Sequence, residues 1–120
     1  TSPPSPVTNF NAAPGDRQVS LTWNHSASTD NRGTQIRFKT TGYPTGSTDG
    51  TVACDRTGNP GAADSCVHGG LTNGTTYYYS AFSYDGAGNY GTAVNDSAAP
   101  AGPSNTPPDD VQNNRRTDTR

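Results

Sequence analysis

Two cysteines, two histidines and a crowded run of aromatic rings are the residues of this chain with the most chemistry to offer. Cys54 and Cys66 are its only cysteines. An even cysteine count in a polar, Thr-rich chain favours a disulfide and an oxidising compartment. Closing so short a loop stabilises a fold by about 3 kcal/mol in the chain-entropy account. Two free thiols in a reducing compartment is the competing reading. Cys54, Cys66 and His68 can also be read as metal ligands. Structural zinc takes four N or S ligands, often from cysteines paired at short spacing, and only His25 remains to complete a set, from a distant loop. No metal is therefore expected. Cys66-Val67-His68 is no haem motif either, because Cys-x-x-Cys-His is missing.

Catalysis has little to stand on. Ser, His and Asp all occur, but nothing resembles a nucleophile elbow. All ten acidic residues are Asp, so paired-carboxylate chemistry would need two of them. Asp85 and Asp96 fall in segments read as turns, where Asp is favoured for backbone reasons. Thr1 is conceivable as an N-terminal nucleophile, but the Pro-rich stretch behind it offers no walls for a pocket. The segment Asp85-Gly86-Ala87-Gly88-Asn89 supplies oxygen donors only at Asp85 and Asn89, and calcium wants six or more. No Arg-Gly-Asp occurs. Asn24, Asn73 and Asn95 head N-x-Ser/Thr sequons, which arise readily in an Asn- and Thr-rich chain. Neither an enzyme nor a cofactor is expected.

The elements that would position these residues are strands. The chain has 120 residues, 28% of them hydrophobic and 15% charged, with a formal charge of −2. One domain with a small core and some chain outside it is the natural expectation. No basic face large enough for nucleic acid is suggested, and no apolar run is long enough to enter a membrane. Glu is absent and Lys39 is the only lysine, which disfavours long helices. Thr and Tyr with Gly, Asn and Pro turns favour short strands. The absence of Met is expected of a processed protein or an excised fragment.

Alternation locates the strands. A first is expected over 7–13, ended by Pro14-Gly15-Asp16. In 17–24, Val19, Leu21 and Trp23 share one face. In 34–40, Ile36 and Phe38 point inward, and Gln35, Arg37 and Lys39 outward. Short strands at 51–55 and 65–71 carry the cysteines. The longest, 76–84, follows a Thr-Asn-Gly turn, and a weak last strand covers 90–98. Residues 25–33 and 41–50 read as loops. Residues 1–6 read as a Pro-rich spacer and 99–120 as a polar, Pro-rich linker or tail. The result is an all-β, seven-stranded antiparallel sandwich over 7–98 with unstructured ends.

In this order and spacing the segments PVTNFNAAPGDRQVSLTW, GTQIRFK and GLTNGTTYYYSAFSYDGAGNYG resemble the fibronectin type III domain, an immunoglobulin-like sandwich. The ending YDGAGNYG resembles the modules of bacterial secreted and surface proteins. Leu71, Gly74 and Tyr77 match the family's Leu, Gly, Tyr corner. The resemblance then implies an inward Tyr77 whose hydroxyl bonds back to the corner backbone. Along one strand this turns Tyr79, Ala81 and Ser83 inward, and Tyr78, Ser80, Phe82 and Tyr84 outward. Cys66 stands where bacterial members carry a buried ring, and His68 where they often carry Asp. A disulfide to Cys54 would make up for the lost packing.

Two functional expectations follow. The first is a non-catalytic extracellular spacer or assembly module of a larger surface or secreted protein or of a surface filament, with neighbouring domains or subunits, or further copies in a homopolymer, as partners. The second is a ligand-binding module, with carbohydrate or protein as ligand. Its face would be Tyr78, Phe82 and Tyr84 beside Arg37 and Lys39, rings next to cations on an open sheet. Plain cross-strand stabilisation is the competing explanation of that face, at about 0.2–1 kcal/mol per pair.

Overall fold

A computed structural model describes residues 3–102. Seven strands form: β1 (Thr8–Gly15), β2 (Gln18–Asn24), β3 (Asn31–Lys39), β4 (Thr51–Thr57), β5 (Ala63–His68), β6 (Tyr77–Asp85) and β7 (Val94–Ala98). They make two antiparallel sheets, β1-β2-β5 and β4-β3-β6-β7.

The core sits between the sheets and is small, as the apolar content requires. Val19, Leu21, Ile36, Tyr79 and Ala81 are fully buried, and Trp23 is nearly so. On β2 the exposed Gln18 and Thr22 alternate with them, the signature of a half-buried strand. Phe38 is half-buried at the core's edge and packs against it.

Strand β3 begins at Asn31, earlier than the expected Thr34. Its polar start looked like loop, yet it joins the ladder, Asn31 opposite Asp85 and Gly33 opposite Tyr84. Backbone pairing needs no apolar side chain. Strand β7 begins at Val94; Tyr90 makes only an isolated bridge to Tyr84. Asp96 is therefore on a strand and not in a turn, and its carboxylate accepts the Ala12 N–H at 2.9 Å.

Both expected boundaries need correction. Residues 3–6 are not a free spacer: Pro4 is buried, and the Ser5 carbonyl accepts the Ser83 hydroxyl at 2.7 Å. The Ser5 hydroxyl also lies 2.8 Å from that of Ser26. After β7, Pro100 is fully buried. Its carbonyl accepts the Gly74 N–H at 2.8 Å, and the Ala101 N–H donates to Gly15 at 3.0 Å. The folded unit thus runs from at least Pro4 to Ala101. The expected tail beyond Gly102, and residues 1–2, lie outside the described residues.

These contacts fix where the chain enters and leaves. Residues 4–5 dock beside the β2–β3 loop and the end of β6. Residues 100–101 dock beside the β1–β2 turn and the β5–β6 corner. Because β6 runs from the second of these groups to the first, they are opposite poles of the sandwich.

Candidate functional site

At the exit pole the tyrosine corner forms. The Thr72 N–H donates to the Tyr77 hydroxyl at 2.9 Å. Gly74 takes a left-handed backbone, φ 87°, which a side chain would strain. Leu71 is half-buried and packs on the core, and its N–H donates to the Arg17 carbonyl at 3.0 Å. Asn73 completes the clamp by accepting the Arg17 N–H and donating to Asp16.

Cys54 and Cys66 form a disulfide, with Cα atoms 6.7 Å apart. Strand β4 is the edge of one sheet and β5 the edge of the other. The bond therefore closes one side of the sandwich, where no ladder can form. Both sulfurs are consumed, so neither is free to ligate a metal. Among the described residues no three His, Cys or Asp side chains gather to hold one.

The proposed aromatic face is not an open platform. Phe82 lies outside the inter-sheet core cluster, but it is 3% exposed. The β3–β4 loop folds across this side of the sheet. Tyr43 sets its ring edge-on against Tyr78 at 5.1 Å. The Ser80 hydroxyl lies 3.0 Å from the Pro44 carbonyl oxygen. Arg37 and Lys39, expected beside the rings on the candidate binding face, tie the loop down. Arg37 donates to the Asp49 and Gly50 carbonyls at 2.7 and 2.8 Å, and Lys39 donates to the Asp49 carboxylate at 3.0 Å. The Thr45 N–H and the Lys39 ammonium pull the Asp49 pKa down to about 2. Tyr84 is half-buried, donates to Asp55 at 2.7 Å and lies beside Tyr90. Burial and that bond raise its pKa to about 12. Tyr78, Arg37 and Lys39 thus engage a loop of their own chain, while Tyr84 bonds to strand β4.

The histidines sit in two separate settings. His68 packs its ring 4.4 Å from that of Phe38 and shares a 2.9 Å hydrogen bond with the Tyr79 hydroxyl. Burial lowers its pKa. His25 is 1% exposed and braces the sheets. Its Nε2 lies 3.0 Å from Asp64 on β5, and its Nδ1 lies 2.9 Å from the Thr34 hydroxyl on β3. A carboxylate only accepts, so Nε2 carries a proton toward Asp64, and Nδ1 shares a hydrogen bond with the Thr34 hydroxyl. Asp64 also accepts from Arg56 and from the Ser65 N–H. Burial works against its charge, but these bonds prevail and its pKa is lowered.

Thr34, His25 and Asp64 thus follow the hydroxyl–imidazole–carboxylate order of a hydrolytic triad. Thr34 is fully buried, however. A nucleophile that substrate cannot reach makes no catalyst, and the chain of bonds reads as a polar brace. Gly58 presses on the His25 ring so closely that a Cβ there would collide with it. Sequence reasoning missed this network because its members are widely separated and follow no motif.

No family model matches the sequence, and a search of curated proteins finds no match. Solved structures do match. The chain superposes on chicken CNTN1 FN1–FN3 domains with a TM-score of 0.60 at 17% identity, covering 82% of this chain and 33% of that one. With a human fibronectin type III domain derived from KIAA0970 the TM-score is 0.54 at 15% identity, over 86% and 78%. The chain has the fibronectin type III fold. The same fold aligns with the Clostridium perfringens spore cortex lytic enzyme SleM at a TM-score of 0.59 and 20% identity, covering 81% of this chain and 28% of that one. This type III unit therefore spans a third or less of the length of SleM and of the CNTN1 fragment. At such identities the likeness carries the fold alone.

Proposed function

We propose that the chain is a non-catalytic extracellular module, set in series with neighbouring domains or subunits of a larger secreted or surface protein as a spacer or assembly unit. The observation that carries this reading is the docking of the entering and leaving segments at opposite poles. Chain continuing from both ends would leave in line, and buried prolines at positions 4 and 100 stiffen both exits. The disulfide supports an oxidising compartment. The engagement of Tyr78, Arg37 and Lys39 by the chain's own β3–β4 loop and the burial of Thr34 favour a body that separates and positions other parts.

Solution scattering on three copies joined through their own ends tests the proposal. Strand β6 has nine residues, so one module is about 30 Å long. The maximum dimension should grow by at least about that length per added copy. A compact particle, with copies folded back on each other, would contradict the spacer reading.

A further inference from the structure

Among the described residues the charged side chains are, with three exceptions, engaged in hydrogen bonds or ion pairs within the chain. The exceptions are Arg17, Asp30 and Arg32, all exposed. They are not scattered. Arg17 lies in the β1–β2 turn, at the pole where the chain leaves. Asp30 and Arg32 flank the first residue of β3, at the pole where it enters, and line an open cleft of about 440 Å³.

Arg17 is marked a second way. Its backbone is left-handed, φ 58°, a conformation that strains a residue with a Cβ and suits Gly or Asn. The other non-glycine residue of this kind is Asn9, and Asn tolerates it. The turn itself does not call for arginine. The Arg17 N–H donates to Asn73 and its carbonyl accepts the Leu71 N–H, bonds that glycine would make equally well. A strained position whose side chain the fold leaves unused points to a contact outside the fold.

We propose that Arg17 of one copy of this chain docks in the entry-pole cleft of the next, against Asp30, so that copies pack head to tail. This contact presupposes the in-series arrangement proposed above and names the neighbour: a second copy. Both halves are carried by one chain. The incoming turn presents Asp16 and Arg17, the receiving cleft presents Asp30 and Arg32, and each charge has its opposite to meet. Asp16 uses Oδ1 for Asn73, which leaves Oδ2 available to Arg32 of the next copy. A patch that fits a different patch on the same molecule makes a heterologous contact, which builds rows or rings and not a closed two-fold pair. Exposed ion pairs are individually weak, so the contact forms where copies are already held in series, at high effective concentration.

The test uses two copies joined through their own ends, isotopically labelled in one copy at a time, with amide shifts compared with those of the single chain. At low salt the first copy should show changes at Asp16, Arg17 and Asn73, and the second at Asp30, Arg32 and Gly86. The changes should fade as added salt screens the pairs. Arg17→Asp in the first copy should reduce them severalfold, and adding Asp30→Arg in the second should restore them. Arg17→Asn, which suits the left-handed backbone, should raise the melting temperature of the single chain and still remove the changes, so their loss is not a loss of fold. The contact is overturned if the joined copies match the single chain at low salt, if Arg17→Asn leaves the changes in place, or if the exchanged pair fails to restore them. Joined copies that stay extended without these changes overturn this contact alone. Copies folded back on each other overturn the spacer reading beneath it.

Discussion

Breaking the disulfide should cost this domain more than any other single change outside the core. The bond joins residues 12 positions apart. For a loop of that size the chain-entropy relation gives about 9–10 cal/mol/K, or about 3 kcal/mol at 25 °C. The location supports the full value, because β4 and β5 edge opposite sheets and no backbone ladder joins them. In a domain of about 100 residues each kcal/mol moves the melting temperature by roughly 4–8 °C, so a drop of about 12–24 °C is expected. Cys54→Ala with Cys66→Ala should show it in calorimetry, and reductant should produce a similar drop in the native chain. Reductant should leave the double variant unchanged. The denaturant slope should also rise, because an uncrosslinked unfolded chain exposes more surface. A drop below about 4 °C, corresponding to less than about 1 kcal/mol, would refute the reasoning. So would two alkylatable thiols in the unreduced protein.

Three further outcomes are expected. Tyr77→Phe leaves the Thr72 N–H without its partner and should destabilise by about 1–2 kcal/mol in denaturant melts; a neutral result would mean the corner bond contributes nothing. Because the Asp49 pKa is depressed to about 2, its hold on the β3–β4 loop is complete above the ordinary carboxylate value of about 4. That hold is lost as pH falls toward 2, which the Thr45 amide shift would report and Asp49→Asn would abolish. His68 has a lowered pKa, so it is held neutral in the fold. Stability should therefore fall as pH drops below about 6.5, where the unfolded histidine gains its proton, and should level off below the folded value; His68→Gln should flatten that dependence.

Much of the sandwich was legible because alternation is a direct consequence of strand geometry. Val19, Leu21 and Trp23 follow a strict period of two, and the Leu71, Gly74 and Tyr77 spacing marks a corner whose bond is present. The start of β3 was not legible, since Asn31, Arg32 and Gly33 join through backbone groups that carry no hydrophobic signal. The outward direction of Phe82 followed from the same alternation, but its burial did not. Nor did the polar loop, held by Arg37, Lys39 and Asp49, that folds back over the same side of the sheet onto Tyr78 and Ser80. Such a fold-back is set by long-range hydrogen bonds and leaves no local pattern. The Thr34–His25–Asp64 brace was hidden for the same reason. Pro4 and Pro100 misled in the opposite sense: composition marks Pro-rich ends as spacers, yet both rings are buried against the poles.

The chain enters and leaves the sandwich at opposite poles. A distance measurement between spin labels carried on unnatural residues at positions 3 and 101, both exposed, tests it most directly and spares the disulfide. With β6 nine residues long, the account predicts a single narrow distribution centred at about 30–40 Å. A distribution centred below about 20 Å, less than the length of one such strand, would place both ends at one pole and contradict the account.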